Sequence, residues 1–464
     1  MFGNRAYAPV RRRLILVLTV ALALVVPSTA ARAAAFAKAP ATAPAAAPQF
    51  GDGHGLHILS VTRFDARDYN VEVLSGELGR PINIRLLLPV DYAAHPSRHY
   101  PALYLFHGTS GVASDWIRQG NAEPATAPLQ LITVMPEVGF NGDGGFWFTN
   151  WVDKTTSHGP SQFEDYLMNQ LVPWVDQNLR TIPTRAGRAV AGLSQGGYGS
   201  AEMAARHPDT FTSMATFSGA PEIERDPQVF ATAIGVIDAI EVGDDRVAPD
   251  SELGDPVLDL INWQGHDPAT LMTNLRGMSI DMWTGTGVDG PYDSAPNPNA
   301  SAIEAAVFLS TQSFHQHLVA EGIPSYYDNY VYGTHTFPYW ARDLREYLPR
   351  MMADFAHPKK PTSISYMSID KQWSQWGYTV SLDRAAPQQF SSLTGGTKHG
   401  FSLSGTGTAV VTTPAAYRPG SVLTVRVTEP TGTTRKRIKV SASGRLILTL
   451  HLGRGGSATV AIPA

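Results

Sequence analysis

The sequence predicts an α/β fold, a mostly parallel sheet with helices on both faces, followed by a small all-β domain. Three observations carry that reading. Between residues 56 and 357, short β-rich apolar runs alternate with segments of helical periodicity, which is how strand-helix-strand crossovers appear in a sequence. Each run stops at or beside a glycine or proline, where a loop must turn away from the sheet. From residue 362 to residue 464 the chain becomes rich in Thr, Ser, Gly and Val, the composition of short strands joined by tight turns.

Taken in order, the chain opens with Arg5 and Arg11, Arg12 and Arg13, then an apolar run over 14–26, then small residues ending at Ala33. That order is a secretory signal over residues 1–33. The run is shorter than the roughly 20 residues a membrane span takes, so no stable membrane anchor is expected. Arg12-Arg13 also fits a twin-arginine signal, which leaves the export route open. Removing 1–33 leaves 31 basic residues against 40 acidic ones and moves the net charge from −4 to −9. Nothing basic then remains to favour nucleic acid. Residues 34–55 begin as an almost pure Ala/Pro stretch and read as an extended linker. The 464 residues are 43% apolar, enough for two cores and against disorder throughout. With no cysteine, disulfide scaffolds, thiolate metal centres and a cysteine nucleophile are excluded.

The domain 56–357 carries predicted strands at 82–88, 102–106, 131–135, 188–191, 213–217, 278–283 and 326–332. Apolar residues spaced by three and four predict a helix over 163–180, kinked at Pro173, and a second helix over 302–320. The domain 362–464 reads as a β-sandwich, with strands at 422–427, 437–440, 446–450 and 458–462.

Gly192-Leu193-Ser194-Gln195-Gly196 fits G-x-S-x-G, and its setting between a strand and a helix is that of the nucleophile turn of an α/β-hydrolase fold. Ser194 is therefore the candidate nucleophile. A serine hydroxyl needs a base, and His335, after the last strand and before a helix starting near Tyr339, is placed to supply one. The acid must lie between them, and Asp289, Asp293 and Glu304 are candidates, with Asp289 first by loop position. The oxyanion donors are expected from the backbone of Gln195 and, in the loop after strand 102–106, of Thr109. The stretch from Phe146 through Trp147 to Trp151 is a candidate wall for an acyl chain or sugar ring, with core packing as the alternative. His315 and His317, two apart on one helix, point in different directions and read as surface residues rather than metal ligands. No metal and no cofactor is expected. Trp373, Trp376 and Tyr378 either form a platform for polysaccharide or pack against the neighbouring domain.

With these motifs placed, residues from about 60 to 350 resemble the antigen 85 mycolyltransferase and esterase D branch of the α/β-hydrolases. The resemblance rests on Leu103-Tyr104-Leu105-Phe106-His107-Gly108, Val134-Met135-Pro136, Gly192 to Gly197, and Gly333-Thr334-His335-Thr336-Phe337-Pro338-Tyr339-Trp340. In that family the triad acid is a glutamate on the helix before the histidine strand. Ala302-Ile303-Glu304 followed by Ser310-Thr311 is similar to that segment, so the resemblance implies Glu304 in place of Asp289. It also implies an acyl-enzyme on Ser194, passed to water or a sugar hydroxyl. Antigen 85 proteins hold trehalose with an aspartate and an arginine, where this chain has His107 and Ser110; both count as candidate substrate contacts, and trehalose specificity is not expected. The expected function is a secreted serine ester hydrolase or acyltransferase, its substrate an acyl ester with a cell-envelope lipid or glycolipid as candidate. The alternatives are a serine peptidase on the same triad and a non-catalytic envelope-binding protein. No signal for oligomeric state is present.

Overall fold

A computed structural model of the chain describes residues 48–139, 147–243 and 247–463. The expected export signal, most of the expected Ala/Pro linker and Phe146 lie outside the described residues. The first part of the chain forms strands β1 (Leu56–Arg63), β2 (Asp68–Ser75), β3 (Arg80–Leu87), β4 (Ala102–Phe106), β5 (Ile132–Pro136), the hairpin β6 (Asn150–Thr156) and β7 (Gly159–Gln162), then β8 (Arg188–Leu193), β9 (Ser213–Phe217), β10 (Ser279–Val288) and β11 (Tyr326–Tyr332). Among the described residues these build a nine-stranded sheet in the order β1-β2-β3-β5-β4-β8-β9-β10-β11, with β6 and β7 paired apart from it. From β5 to β11 neighbouring strands run parallel, and β1, β2 and β3 are antiparallel. This is the α/β-hydrolase arrangement.

The central strands β4, β5, β8 and β9 are buried at every residue, because helices cover both faces, so they read as predominantly apolar runs. β1 and β2 lie at the sheet edge; β2 alternates buried and accessible residues and β1 is mostly exposed. Sequences such as Asp68–Ser75 are too polar to stand out as strands, and the sequence reading missed both. The expected helix over 163–180 is three pieces: a short turn Phe163–Asp165, a wider π-wound stretch Tyr166–Leu171, and an α-helix Val172–Asn178. Pro173 has no N–H to bond back along the helix, and the wider winding precedes it.

A second, antiparallel sheet follows, from β12 (Ile364–Ser368), β13 (Gln372–Gln375), β14 (Tyr378–Asp383), β15 (Ser391–Thr397), β16 (Gly400–Thr412), β17 (Val422–Glu429), β18 (Gly432–Lys439) and β19 (Ile447–Ala461). It encloses its own core, with Val380, Leu403, Val411, Val425 and Leu450 at its centre. The expected strands 446–450 and 458–462 are the two ends of one strand, β19. It pairs with β16 through register shifts around Gly405, Gly407 and Gly453, and β16 takes β15 as partner before that break and β14 after it. Changing partners at a glycine break lets one pair of long strands serve both layers of a sandwich.

The two sheets meet through specific contacts. The Trp376-Gly377 turn joining β13 to β14 has both residues in the left-handed region, at φ 55° and 77°. Trp376 donates its N–H to Asp209 Oδ2 at 2.7 Å, and the Arg185 guanidinium stands 5.2 Å from its ring centre. Trp373 is buried, bonded to Ser391 and packed on Tyr366, and Tyr378 is buried as well. Trp376 therefore packs against the neighbouring domain, whereas Trp373 and Tyr378 lie in the second sheet's own core, which neither alternative foresaw, and the three form no exposed platform. Holding an L-residue such as Trp376 at positive φ costs about 1 kcal/mol, which docking must offset. Trp376→Asn suits the turn but removes the ring, so it should lower the stability of the full chain by about 1–2 kcal/mol, read as a lower urea midpoint. An Asn variant at least as stable as the wild type would show that turn strain outweighs docking.

Candidate active site

Strand β8 delivers its chain directly to Ser194, which sits at φ 53° and ψ −126° immediately before the helix Gln195–Arg206. The turn is possible only because two neighbours lack side chains. A Cβ on Gly192 would lie 2.2 Å from the carbonyl oxygen of Gly196, and one on Gly196 would lie 2.2 Å from that of His107. The strained conformation is pinned by the Ser194 N–H donating to Phe217 O at 2.9 Å and by the Gly197 N–H donating to Ser194 O at 2.8 Å.

His335 follows β11 and lies just before the helix Phe337–Ala356. Its Nε2 is 2.8 Å from Ser194 Oγ and its Nδ1 2.8 Å from Glu304 Oε2, while the edge of Trp340 supports the ring at 4.9 Å. Glu304 is completely buried on the helix Pro298–Ala320. Its other oxygen, Oε1, accepts from the Gly285 N–H at 2.7 Å, Ser218 Oγ at 2.8 Å and Thr284 Oγ1 at 3.1 Å. A buried carboxylate requires such donors. An ionised carboxylate only accepts, so His335 carries its proton on Nδ1 and leaves Nε2 to accept from Ser194. Nearby, burial pushes the Asp343 carboxyl well above the usual range, against the pull of the Arg342 guanidinium and with the Glu304 carboxylate adding to the rise.

The other acids lie elsewhere. Asp289 is exposed, and Asp293 accepts from the Gly290 N–H at 2.7 Å, from the Tyr339 hydroxyl at 2.6 Å and from Thr334, bracing the loop before His335. Gln195 is the first helical residue, and the first N–H groups of a helix point out of its N-terminal end. The loop 107–111 runs against Ser194, with the Cβ position of Gly108 3.2 Å from Ser194 Cβ; Thr109 and Ser110 are exposed there.

Three expected substrate contacts are corrected. His107 is buried, with Nδ1 2.7 Å from Gly108 O and Nε2 accepting the Val138 N–H at 2.9 Å. Both ring nitrogens hold backbone together instead of facing a ligand. Trp151 lies in the main core beside Phe163, and Trp147 is buried edge-on to Tyr198 with Ile223 and Trp263. Apolar packing explains both. His315 and His317 are half-buried at the surface of their helix; His315 faces Ser325 and Tyr327, and His317 faces Glu222. Glu164, Glu202 and His266 lie within metal-ligand distance of one another, but the Arg206 guanidinium and the His207 ring already bond Glu164, each at 2.8 Å, so a cation is held there by the protein itself. Sequence reasoning missed Ser218, Thr284 and Gly285. The signal was present, because each ends or follows an apolar strand beside a glycine.

The fold and this strand-turn-helix setting of a serine are those of an α/β-hydrolase. The family model described as "Putative esterase" matches residues 75–351, more than half of the chain, and the chain belongs to that family, in its antigen 85 and MPT51 branch. It is 30% identical over 289 residues to Esterase MT1326 of Mycobacterium tuberculosis (strain CDC 1551 / Oshkosh), covering 62% of this chain and 59% of that esterase's own length. It is 26% identical over 296 residues to the MPT51/MPB51 antigen of Mycobacterium bovis, covering 64% of this chain and 90% of the antigen. The crystal structure of Mycobacterium tuberculosis MPT51 shares the fold at a TM-score of 0.50 and 24% identity, over 62% of this chain and 99% of that one.

Burial lowers the His107 pKa from its ordinary 6.5, with the hydrogen bond to Gly108 opposing. The unfolded chain therefore takes up a proton near pH 6.5 that the folded chain resists, and the stability that neutral His107 supplies is lost as pH falls through that range. His107→Gln should be less stable than wild type at pH 8, and the gap should narrow towards pH 5 in urea titrations. A gap that stays constant with pH would contradict the buried, neutral assignment.

Proposed function

We propose that the chain is a secreted serine carboxylic-ester hydrolase or acyltransferase that works through an acyl-enzyme on Ser194, with His335 as base and Glu304 as the acid that orients it. The observation that carries this reading is the unbroken row from Ser194 Oγ to His335 to Glu304, with both links at 2.8 Å. Ser194 Oγ attacks the ester carbonyl while His335 Nε2 takes its proton, and Glu304 stabilises the imidazolium. The backbone N–H groups of Gln195 and Thr109 receive the oxyanion. His335 then gives its proton to the leaving alcohol, the acyl group stays on Ser194, and water or another alcohol removes it by the same steps in reverse.

Two further parts belong to this reading. The catalytic domain spans 56–357, and 362–464 is an accessory sandwich, supported by the separate core of the second sheet. Export is supported by the arginine, apolar run and small-residue order of residues 1–33, and among the described residues no helix is long and apolar enough to cross a membrane. The substrate is an acyl ester, with a cell-envelope lipid or glycolipid as the candidate. Ser110 stays a candidate contact because it is exposed on the loop against Ser194. The internal bonding of His107, where the antigen 85 family has an acceptor for trehalose, supports water or a different alcohol as acyl acceptor.

A fluorophosphonate probe should label Ser194 alone, and Ser194→Ala should abolish both labelling and ester turnover while the fold is kept. Glu304→Gln should lower kcat by roughly 10⁴, as amide replacement of a triad acid does, whereas Asp289→Asn should leave turnover of a p-nitrophenyl ester near the wild-type value. A severe defect in Asp289→Asn with near-normal Glu304→Gln would overturn the assignment of the acid.

A further inference from the structure

We propose that the seam between the two sheets holds a binding groove for a neutral carbohydrate chain, on the side of the molecule away from Ser194. A cavity of about 380 Å³ opens there, lined by Asp209, Ser374, Tyr378, Thr379, Thr412 and Arg445, within the 300–1,000 Å³ span of small-ligand pockets. Three of these residues form one row. Ser374 is the cross-strand partner of Thr379 between β13 and β14, and Thr379 is the partner of Thr412 between β14 and β16. Directly paired residues on antiparallel strands point to the same face, so three hydroxyls stand side by side across three adjacent strands, and the first two touch at 3.0 Å.

Charged groups of opposite sign flank the row. Asp209 uses Oδ2 for the Trp376 N–H, and Arg445 uses Nη1 for the carbonyls of Gly377 and Thr413. These bonds hold one carboxylate and one guanidinium in the wall of the groove. A wall of carboxylate, guanidinium and hydroxyls has no net charge, so an anion or a cation would meet a like charge as well as a partner. Sugar hydroxyls both donate and accept, and can satisfy all three kinds of group, the bonds to the charged pair being the stronger ones. The aromatics that first suggested polysaccharide are buried or docked; the polar groove beside them takes that role.

Asp209 lies three residues beyond the helix Gln195–Arg206, whose first residue follows Ser194. A twelve-residue helix is about 18 Å long, so a glycan in the groove is an anchor and not the ester being cleaved.

The test is isothermal titration calorimetry of the full chain with cellohexaose, xylohexaose, mannohexaose and maltohexaose, and with hexagalacturonate as an anionic counterpart. At least one neutral hexaose should bind saturably and more tightly than hexagalacturonate. The double variant Thr379→Val/Thr412→Val, its fold checked by an unchanged thermal midpoint, should raise Kd about tenfold or more. Arg445→Gln provides a second, independent reading of the same loss. Absence of saturable binding by all four neutral hexaoses, preference for hexagalacturonate, or binding unaffected by both variants would overturn the proposal.

Discussion

The buried carboxylate of Glu304 is the constraint around which the candidate site is built. It has no exposed surface and takes donors from Ser218, Thr284, Gly285 and His335. Burying an unpaired carboxylate would cost several kcal/mol, so the chain after β9, the end of β10 and the loop after β11 must all converge on one point. Parallel strands make this possible because their C-terminal ends lie side by side. The same convergence sets the imidazole of His335 at hydrogen-bond distance from Ser194, which the glycine-lined turn after β8 holds at positive φ. The geometry of the candidate site and the burial of one charge are thus satisfied by a single arrangement of strand ends.

The helix Gln195–Arg206 carries this order across the molecule. Ser194 caps its first turn, and its far end is tied into the second sheet. Arg206 bonds Glu164 and Asp370, its carbonyl accepts from Tyr366, and Asn274 joins Ala205 to Met367. Ile369 packs so closely on Gly265 that a Cβ there would lie 2.2 Å from it. The second sheet therefore braces the end of the helix opposite to Ser194, through bonds specific enough to define one docking position.

Much of this was legible in the sequence where burial is two-sided or the backbone is special. β4 and β9, covered on both faces, and the aromatic edge strand β11 appear at their observed limits, and Ser194 and His335 stand out because glycines and a strand-to-helix turn surround them. The edge strand β1 with β2 beside it, the hairpin β6-β7 and the first strands of the second sheet were not legible, since a strand with one wet face carries polar residues and its pairing depends on distant segments. Spacing alone put Asp289 ahead of Glu304; only the family resemblance favoured the residue that the geometry brings to His335, because a glutamate between Ile303 and Ala305 shows its acceptor role only after folding. Trp147 and Trp151 misled for the opposite reason. Aromatic residues fill cores and line ligand sites alike, and composition does not distinguish the two.

The central claim is that Ser194 carries the acyl group. Intact-protein mass spectrometry of the full chain, quenched in acid during turnover of a p-nitrophenyl ester, tests it directly. The account predicts an adduct of the acyl mass minus one hydrogen, located by peptide mapping on the segment containing Ser194 and missing from Ser194→Ala. Turnover with no acyl adduct on that segment, or an adduct that persists in Ser194→Ala, would contradict it.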